Sequence, residues 1–209
     1  GSTASARELW LRASCFYGAS YHPLYGAPID PRLRAAFRQQ MQAFDRALAL
    51  NHPPVAPVRI PFGDTGLPAY FIPAAGHGQA VRPLLILNNG YDAAITDMYF
   101  ASAVAASQRG YHCLLFDGPG QGAMLIEHGV PMRPDWETVV RAVVDFALAQ
   151  PLVDGTRIAL SGWSLGGHLA ARAASGDTLI ARPGCPLPGV PSRPRERHTE
   201  ADRTHGPDR

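Results

Sequence analysis

The 209-residue sequence has no lysine, few cysteines and no long apolar run. All 19 basic residues are arginine, they are scattered along the chain, and the net charge is only +2. This balance argues against binding to nucleic acid or to an anionic membrane. No apolar run approaches the roughly 20 residues of a membrane-spanning helix, and the first residues do not resemble a secretion signal. We therefore expect a cytoplasmic protein.

The cysteines are three in number, and their spacing fits neither a disulfide framework nor a metal site. Cys113 lies in a strand-like apolar run, where we expect a small core residue. Cys15 and Cys185 lie far from it in the sequence. This use of cysteine favours a reducing compartment.

The composition divides the chain into three parts. Residues 1–54 carry two helical patterns, the second with Asp30 as N-cap and Pro31 in its first turn, and we expect a helical cap segment. Residues 55–181 alternate strand-like runs with helical patterns, which predicts an α/β domain with a mainly parallel sheet. Residues 182–209 are rich in proline and arginine and poor in apolar side chains, so we expect a disordered tail.

One motif is typical of a serine held on a sharp turn between a strand and a helix. A strand-like run is followed by GWSLG at residues 162–166 and then by an Ala-rich helical pattern. Gly162 and Gly166 lack the side chains that would block such a turn, which would raise the Ser164 hydroxyl above the sheet. The N–H of Leu165, at the start of the helix, is a candidate donor to an oxyanion. A merely structural turn is the alternative.

A second motif, NNGYD at residues 88–92, follows another predicted strand. In this architecture the loop after that strand supplies a second donor to the oxyanion, and we assign this N–H to Tyr91. The alternative is that Gly90 simply permits a tight turn while Asp92 caps local backbone.

A third motif, DGPGQG at residues 117–122, contains enough glycine to suggest a phosphate-binding loop. It lacks the Lys-Ser/Thr pair of such a loop and the spacing of a dinucleotide-binding motif. We expect a tight loop next to the active site, in which Asp117 accepts hydrogen bonds from backbone N–H groups.

The histidines leave the serine without an evident partner. His168 lies four residues after Ser164, on the helix that leaves the turn, and cannot reach back to the hydroxyl. Five histidines precede the serine in predicted loops or strands and are expected to be incidental: His22, His52, His77, His112 and His128. His198 and His205 follow within the Pro/Arg-rich segment, and we expect neither to be the base.

Three motifs together resemble the α/β-hydrolase superfamily: NGYD at 89–92, FDGPGQG at 116–122 and GWSLGG at 162–167. The resemblance is narrower to the branch with 2,6-dihydroxypseudooxynicotine hydrolase, fungal polyketide chain-shortening hydrolases and related esterases. Members of that branch also carry a helical cap before the sheet, and the resemblance covers about residues 7–178.

This resemblance implies a Ser-His-Asp triad that cleaves an ester, an amide or a carbon-carbon bond next to a carbonyl. It implies Ser164 as the nucleophile, Tyr91 and Leu165 as oxyanion donors, and a small-molecule carbonyl substrate. No cofactor and no metal are implied, and members with this cap are often homodimers.

The sequence departs from the family after about Asp177, where the strands that carry the acid and the histidine should follow. We expect a chain that was cut or frame-shifted, although a genuine flexible tail is the alternative. As a hydrolase it should be impaired, and its serine strand should form an exposed sheet edge. The alternative function is a non-catalytic truncated remnant, or a ligand-binding relic of the fold.

Overall fold

A computed structural model of the protein describes residues 2–176. The strands are β1 (Pro57–Ile60), β2 (Leu67–Ile72), β3 (Arg82–Asn88), β4 (His112–Phe116) and β5 (Val153–Gly162). The helices are α1 (Thr3–Tyr21), α2 (Pro31–Leu48), α3 (Ile95–Met98), α4 (Val104–Gln108), α5 (Gly122–Ile126), α6 (Trp136–Leu148) and α7 (Leu165–Gly176). None of these helices combines the length and the apolar character that crossing a bilayer requires. The disordered tail predicted over residues 182–209 lies outside the described residues.

The strands form one sheet in the order β1-β2-β4-β3-β5. Strands β1 and β2 form an antiparallel hairpin, and β2 also pairs antiparallel with β4. Strand β3 runs parallel to both β4 and β5. The described sheet is therefore mixed, with two parallel and two antiparallel pairings, where the sequence predicted a mainly parallel one. The predicted hairpin explains the β1–β2 pair, because its short turn permits no parallel crossover, while the second antiparallel pair joins β2 to β4.

Side chains that alternate along the strands form a separate core on each face of the sheet. On one face, Ile86 and Phe116 pack with helices α6 and α7. On the other face, Leu87, Cys113 and Leu115 pack with helices α1, α2 and α3. Cys113 is fully buried, which confirms it as a small core residue, and burial raises the pKa of its thiol to about 12. Helices cover both faces, as the predicted α/β class requires.

Helix α2 begins where the sequence predicts. The side chain of Asp30 accepts a hydrogen bond from the Arg32 N–H at 2.8 Å, and Pro31 occupies the first turn. The predicted apolar stripe faces the interior, and its most deeply buried members are Leu33, Phe37, Phe44 and Leu48. This stripe docks the N-terminal helices onto the sheet domain.

A buried amide joins the two N-terminal helices to the rest of the chain. Gln40 accepts a hydrogen bond from the Tyr21 hydroxyl at 2.6 Å. Its Nε2 atom donates to Thr96 Oγ1, in helix α3, at 2.8 Å. Because all of these partners are buried, the helical segment is fixed to the domain at a defined position.

The helix predicted from Asp97 to Arg109 contains a wider, π-helical turn in its middle. Helix α3 leads into this turn at Tyr99–Ala103, and helix α4 continues from it. The ring of Tyr99 packs edge-on against that of Phe44, with 5.2 Å between ring centres. The apolar periodicity of the sequence does not reveal the extra residue in this turn.

Candidate active site

Ser164 lies on the sharp turn between strand β5 and helix α7. The strand ends at Gly162 and the helix begins at Leu165. Ser164 has a φ of 52°, and within the described chain it is the one non-glycine residue with a positive φ. Its side chain is exposed to solvent. Strained backbone of this kind clusters at functional sites, where the fold holds it in place.

Two glycines permit this turn because the surrounding backbone leaves no room for a side chain. A Cβ atom on Gly162 would fall on the carbonyl group of Gly166. A Cβ atom on Gly166 would fall on the carbonyl oxygens of Asn88 and Asn89, at the end of strand β3. Gly167 has room for a methyl group, since its nearest contact would be the Gly162 oxygen at 3.4 Å. The two flanking glycines are therefore a packing requirement.

The loop after strand β3 lies directly against residues 162–166, which we call the serine turn. The Trp163 N–H donates to the Asn88 carbonyl oxygen at 3.2 Å. A Cβ atom placed on Gly90 would lie 3.5 Å from the Ser164 Cβ and 3.4 Å from the Trp163 carbonyl oxygen. These contacts bring Gly90, the first residue of the segment predicted from the sequence, next to Ser164.

Two backbone N–H groups near Ser164 have no acceptor in the described part of the chain. Leu165 is the first residue of helix α7, where an N–H has no partner within the helix. The Tyr91 N–H likewise donates to no atom of the described chain. The Gly90 N–H differs, because the Asn89 Oδ1 atom accepts its hydrogen bond at 2.8 Å. The N–H groups of Tyr91 and Leu165, which the sequence analysis assigned as oxyanion donors, are thus without an acceptor in the described chain, and that assignment stays a prediction.

The carboxyl group of Asp117 is fully buried behind this loop. It accepts hydrogen bonds from Asn89 Nδ2 at 3.1 Å and from the Ala123 N–H at 2.9 Å. Burial raises the pKa of Asp117 to about 7, and the negative charge of Asp97 also acts in this direction. The hydrogen bonds oppose the increase but are outweighed. The prediction that Asp117 accepts backbone N–H groups is confirmed by the bond from Ala123.

The loop predicted at residues 117–122 leads directly into the short helix α5, which the sequence did not indicate. The Gln121 side chain accepts from the Gly118 N–H at 2.9 Å and donates to the Asn89 carbonyl oxygen at 2.6 Å. The loop therefore supports the neighbouring loop at residues 88–92 and has no phosphate-binding form.

A buried asparagine and a tryptophan, which the sequence analysis missed, connect the serine turn to its neighbours. Asn88 Nδ2 donates to the Gly166 carbonyl oxygen at 2.9 Å. Asn88 Oδ1 accepts from Trp136 Nε1, also at 2.9 Å. The sequence offers one signal, two adjacent polar residues at the end of an apolar strand, and an ordinary turn explains that signal equally well.

No histidine in the described chain forms a hydrogen bond with the Ser164 hydroxyl. Both ring nitrogens of the buried His112 contact backbone groups, at 2.9 and 3.0 Å. Burial lowers the pKa of His112, and its Nδ1 atom accepts a hydrogen bond from the Ala74 N–H, so it has a structural role. His168 is exposed on helix α7. Two further histidines lie outside the described residues: His198 and His205.

The N-terminal helices reach the same edge of the sheet. The Tyr25 hydroxyl, after helix α1, donates to the Asp92 carbonyl oxygen at 3.1 Å. Burial, with a smaller contribution from nearby carboxylates, raises the pKa of Tyr25 to about 12. A separate cleft of about 210 Å³ has no lining residue from the loop at 88–92 or from the turn at 162–166. It is lined by side chains of the helical segment and of helix α3, among them Cys15, Tyr21, Gln40, Thr96 and Asp97.

The described chain is thus an α/β protein with a serine on a strand-to-helix turn, opposed by a glycine-containing loop. Residues 71–208 match the model of the alpha/beta hydrolase family. The chain belongs to this family, as the resemblance of its motifs predicted.

Two fungal hydrolases and one solved structure illustrate the relationship. The chain is 37% identical over 202 residues to hydrolase acrC of Aspergillus aculeatus, covering 88% of this chain and 47% of that protein. It is 35% identical over 195 residues to 20-hydroxy-prefusarin hydrolase FUS2 of Gibberella moniliformis, covering 90% and 46%. The structure of 2,6-dihydroxy-pseudo-oxynicotine hydrolase superposes with a TM-score of 0.74 at 25% identity, covering 85% and 48%. The chain spans about half the length of the curated relatives it matches.

Proposed function

We propose that this chain is a serine-type α/β-hydrolase in which Ser164 attacks a carbonyl carbon. The observation that carries the proposal is the strained turn at Ser164, in contact with Gly90 and flanked by two N–H groups without acceptors. A structural turn needs the glycines but does not need an exposed serine with a positive φ. Membership of the alpha/beta hydrolase family supports the same conclusion.

The chemistry requires three events at this turn. The Ser164 Oγ atom forms a bond to the carbonyl carbon while its proton passes to a base. The carbonyl oxygen becomes negatively charged and accepts hydrogen bonds from the N–H groups of Leu165 and Tyr91. Collapse of this intermediate breaks the bond to the leaving group, and water then releases the acyl group from the serine.

Removal of the serine proton is the step for which the described residues supply no partner. No histidine in the described chain contacts the hydroxyl, so Ser164 keeps the low reactivity of an ordinary alcohol. Loss of triad members typically lowers turnover on the order of a million-fold. We therefore propose an impaired hydrolase, in which the described residues supply the nucleophile and the oxyanion donors but no histidine beside them.

The proposed substrate is a small molecule with a carbonyl group, cleaved at an ester, an amide or a carbon-carbon bond next to that carbonyl. Two relatives are named as hydrolases of different compounds, 20-hydroxy-prefusarin and 2,6-dihydroxy-pseudo-oxynicotine. Their names support a carbonyl-directed hydrolase and do not select one compound for this chain.

A fluorophosphonate probe, which phosphonylates activated serines, tests the proposal on the full chain. We expect labelling that is slow alone and faster when imidazole is added, because imidazole can accept the serine proton where the described residues offer no histidine. Ser164→Ala should abolish labelling with and without imidazole. Ser175→Ala, which removes an exposed serine near the other end of helix α7, is the matched control and should label like the wild type.

Each outcome of the labelling experiment has a distinct meaning. Stoichiometric labelling at Ser164 that imidazole does not accelerate would leave the nucleophile in place and refute the missing base. Folded protein that stays unlabelled even with imidazole would refute the hydrolase proposal and favour the ligand-binding relic.

A further inference from the structure

Two adjacent asparagines stand at the end of strand β3, and both side chains are fully buried. The Asn88 side chain donates a hydrogen bond to the carbonyl oxygen of Gly166, in the serine turn. Asn89 is bonded within its own loop and to Asp117. One strand end therefore fixes both parts of the proposed site.

We infer that Asn89, anchored by Asp117, is a positioning residue that makes Tyr91 the oxyanion donor of its loop. The inference rests on the proposed function, because it concerns how the same site binds the carbonyl oxygen. Asn89 itself does not touch the reacting atoms in this scheme and acts through the backbone around Tyr91.

The hydrogen bonds of the Asn89 carboxamide enclose Tyr91 from both sides. Its Oδ1 atom accepts from the Gly90 N–H at 2.8 Å, immediately before Tyr91. Its Nδ2 atom donates to the Ala93 carbonyl oxygen at 2.7 Å, two residues after Tyr91. One planar group thus fixes the loop on either side of Tyr91. It also occupies the Gly90 N–H, leaving the next N–H to bind a ligand.

Asp117 holds this carboxamide from the neighbouring strand β4. Its Oδ1 atom accepts the second Nδ2 hydrogen of Asn89 at 3.1 Å, while Oδ2 is occupied by the Ala123 N–H. Gln121 fixes the main chain of the same residue by donating to the Asn89 carbonyl oxygen at 2.6 Å. The rotation of the carboxamide is therefore set from outside the loop, and Asp117 can be altered without touching the loop itself.

The competing explanation is that Asn89 is only a satisfied buried amide. Gln40 is the matched case, since it is also buried and also bridges two partners, but these partners are Tyr21 and Thr96 and it forms no hydrogen bond to the loop at 88–92. Removing either amide leaves buried donors or acceptors without partners and should destabilise the protein. Only removal of Asn89 should change the chemistry at Ser164.

The experiment compares fluorophosphonate labelling rates of folded protein in the presence of imidazole. Asn89→Ala should label about 100-fold more slowly than the wild type, the loss expected when one oxyanion donor is misplaced. Gln40→Ala should label at the wild-type rate despite its lower stability. Asp117→Asn should also be slow, because an amide cannot accept from both Asn89 and Ala123.

If Asn89→Ala does not fold, exchanging the residues at positions 89 and 117 provides a second test. In Asn89→Asp combined with Asp117→Asn, the acceptor for Gly90 and the hydrogen bond between positions 89 and 117 are both retained. This double variant should label faster than Asn89→Asp alone. Non-additivity of this kind is the signature of two residues that act through one contact.

The Tyr91 amide proton gives a readout that a purely structural role would not change. On phosphonylation its NMR resonance should shift downfield in the wild type and in Gln40→Ala, but not in Asn89→Ala. Equal labelling rates and equal shifts in Asn89→Ala and the wild type would overturn the inference while leaving the hydrolase proposal intact. A wild-type chain that does not label at all would instead overturn the proposed function, and the inference with it.

Discussion

The end of strand β3 and the end of strand β5 contribute to the same site but differ in how completely they are enclosed. The last three residues of β3 and all of β4 are buried. Just after these strands, Asn89 forms hydrogen bonds with Asp117 and Gln121. Strand β5 is last in the order of the described strands, and all its residues are partly or fully exposed. Ser164 lies at the exposed end, and Asn89 lies at the enclosed one.

The difference separates two tasks of a serine hydrolase. Placement of the backbone donors depends on buried contacts that the described chain makes within itself, through Asn89 and Asp117. Removal of the serine proton depends on a group beside an exposed hydroxyl, where the described chain offers no histidine. We therefore expect variants on the enclosed side to affect stability strongly. Variants on the exposed side should affect reactivity at little structural cost.

We expect the largest effect at Gly166, where the serine turn contacts the end of strand β3. A methyl group there would overlap the carbonyl oxygens of Asn88 and Asn89. Gly166→Ala should therefore lower the free energy of unfolding by about 3 kcal/mol or more, at the upper end for overpacking because the neighbouring backbone cannot move aside. Urea denaturation followed by circular dichroism measures this loss.

Gly167→Ala is the matched control for this substitution, one residue further along the same helix. Its methyl group has room, and alanine favours a helix, so the free energy of unfolding should change by less than about 1 kcal/mol. Similar losses in the two variants would refute the close approach of the serine turn to strand β3.

Trp136 tests whether substitutions on the enclosed side cost more stability than substitutions on the exposed side. It is fully buried, and its Nε1–H donates to Asn88 Oδ1. Trp136→Phe leaves that oxygen without a donor and should cost about 2 kcal/mol of unfolding free energy. Trp163→Phe, at a half-exposed tryptophan next to Ser164, should cost less than about 0.5 kcal/mol. A larger loss at Trp163 would reverse the proposed contrast, and the same denaturation assay measures both.

Asp117 links the enclosed side to pH. Its folded-state pKa of about 7 lies above the ordinary value of 3.8, so the folded protein holds this proton more tightly than the unfolded chain. The resulting stability is present below about pH 4 and is lost as the pH rises through 7. Relative to Asp117→Asn, the wild type should lose at least about 1.4 kcal/mol across this range, the value of one pKa unit.

Thermal or urea unfolding of both proteins between pH 4 and pH 8 measures this difference. A wild type that gains stability over Asp117→Asn as the pH rises would contradict the raised pKa. It would indicate that the hydrogen bonds from Asn89 and Ala123 outweigh the burial of the charge.

The parts of the fold that the sequence predicted are those set by local chemistry. The pattern Gly-x-Ser-x-Gly between a strand and a helix correctly indicated the turn at Ser164, because a side chain at either glycine would overlap the backbone there. The cap at Asp30 and the hairpin around residues 57–72 were also predicted, since each depends on residues close in the chain.

The parts that the sequence did not predict depend on contacts between distant residues. Asn89 meets Asp117 and Gln121, which lie 28 and 32 residues further along, and no periodicity or motif announces these pairs. Strand β5 begins at Val153, four residues before the predicted Arg157. Its first part pairs with Arg82 across an irregular register, and its exposed residues carry no apolar pattern.

A crystal structure of the full chain after fluorophosphonate labelling tests the central claim most directly. We expect a phosphonyl group on Ser164 Oγ, with one phosphonyl oxygen about 3 Å from both the Leu165 and the Tyr91 nitrogen. An adduct on another side chain, or a Ser164 adduct whose oxygen contacts neither nitrogen, would contradict it.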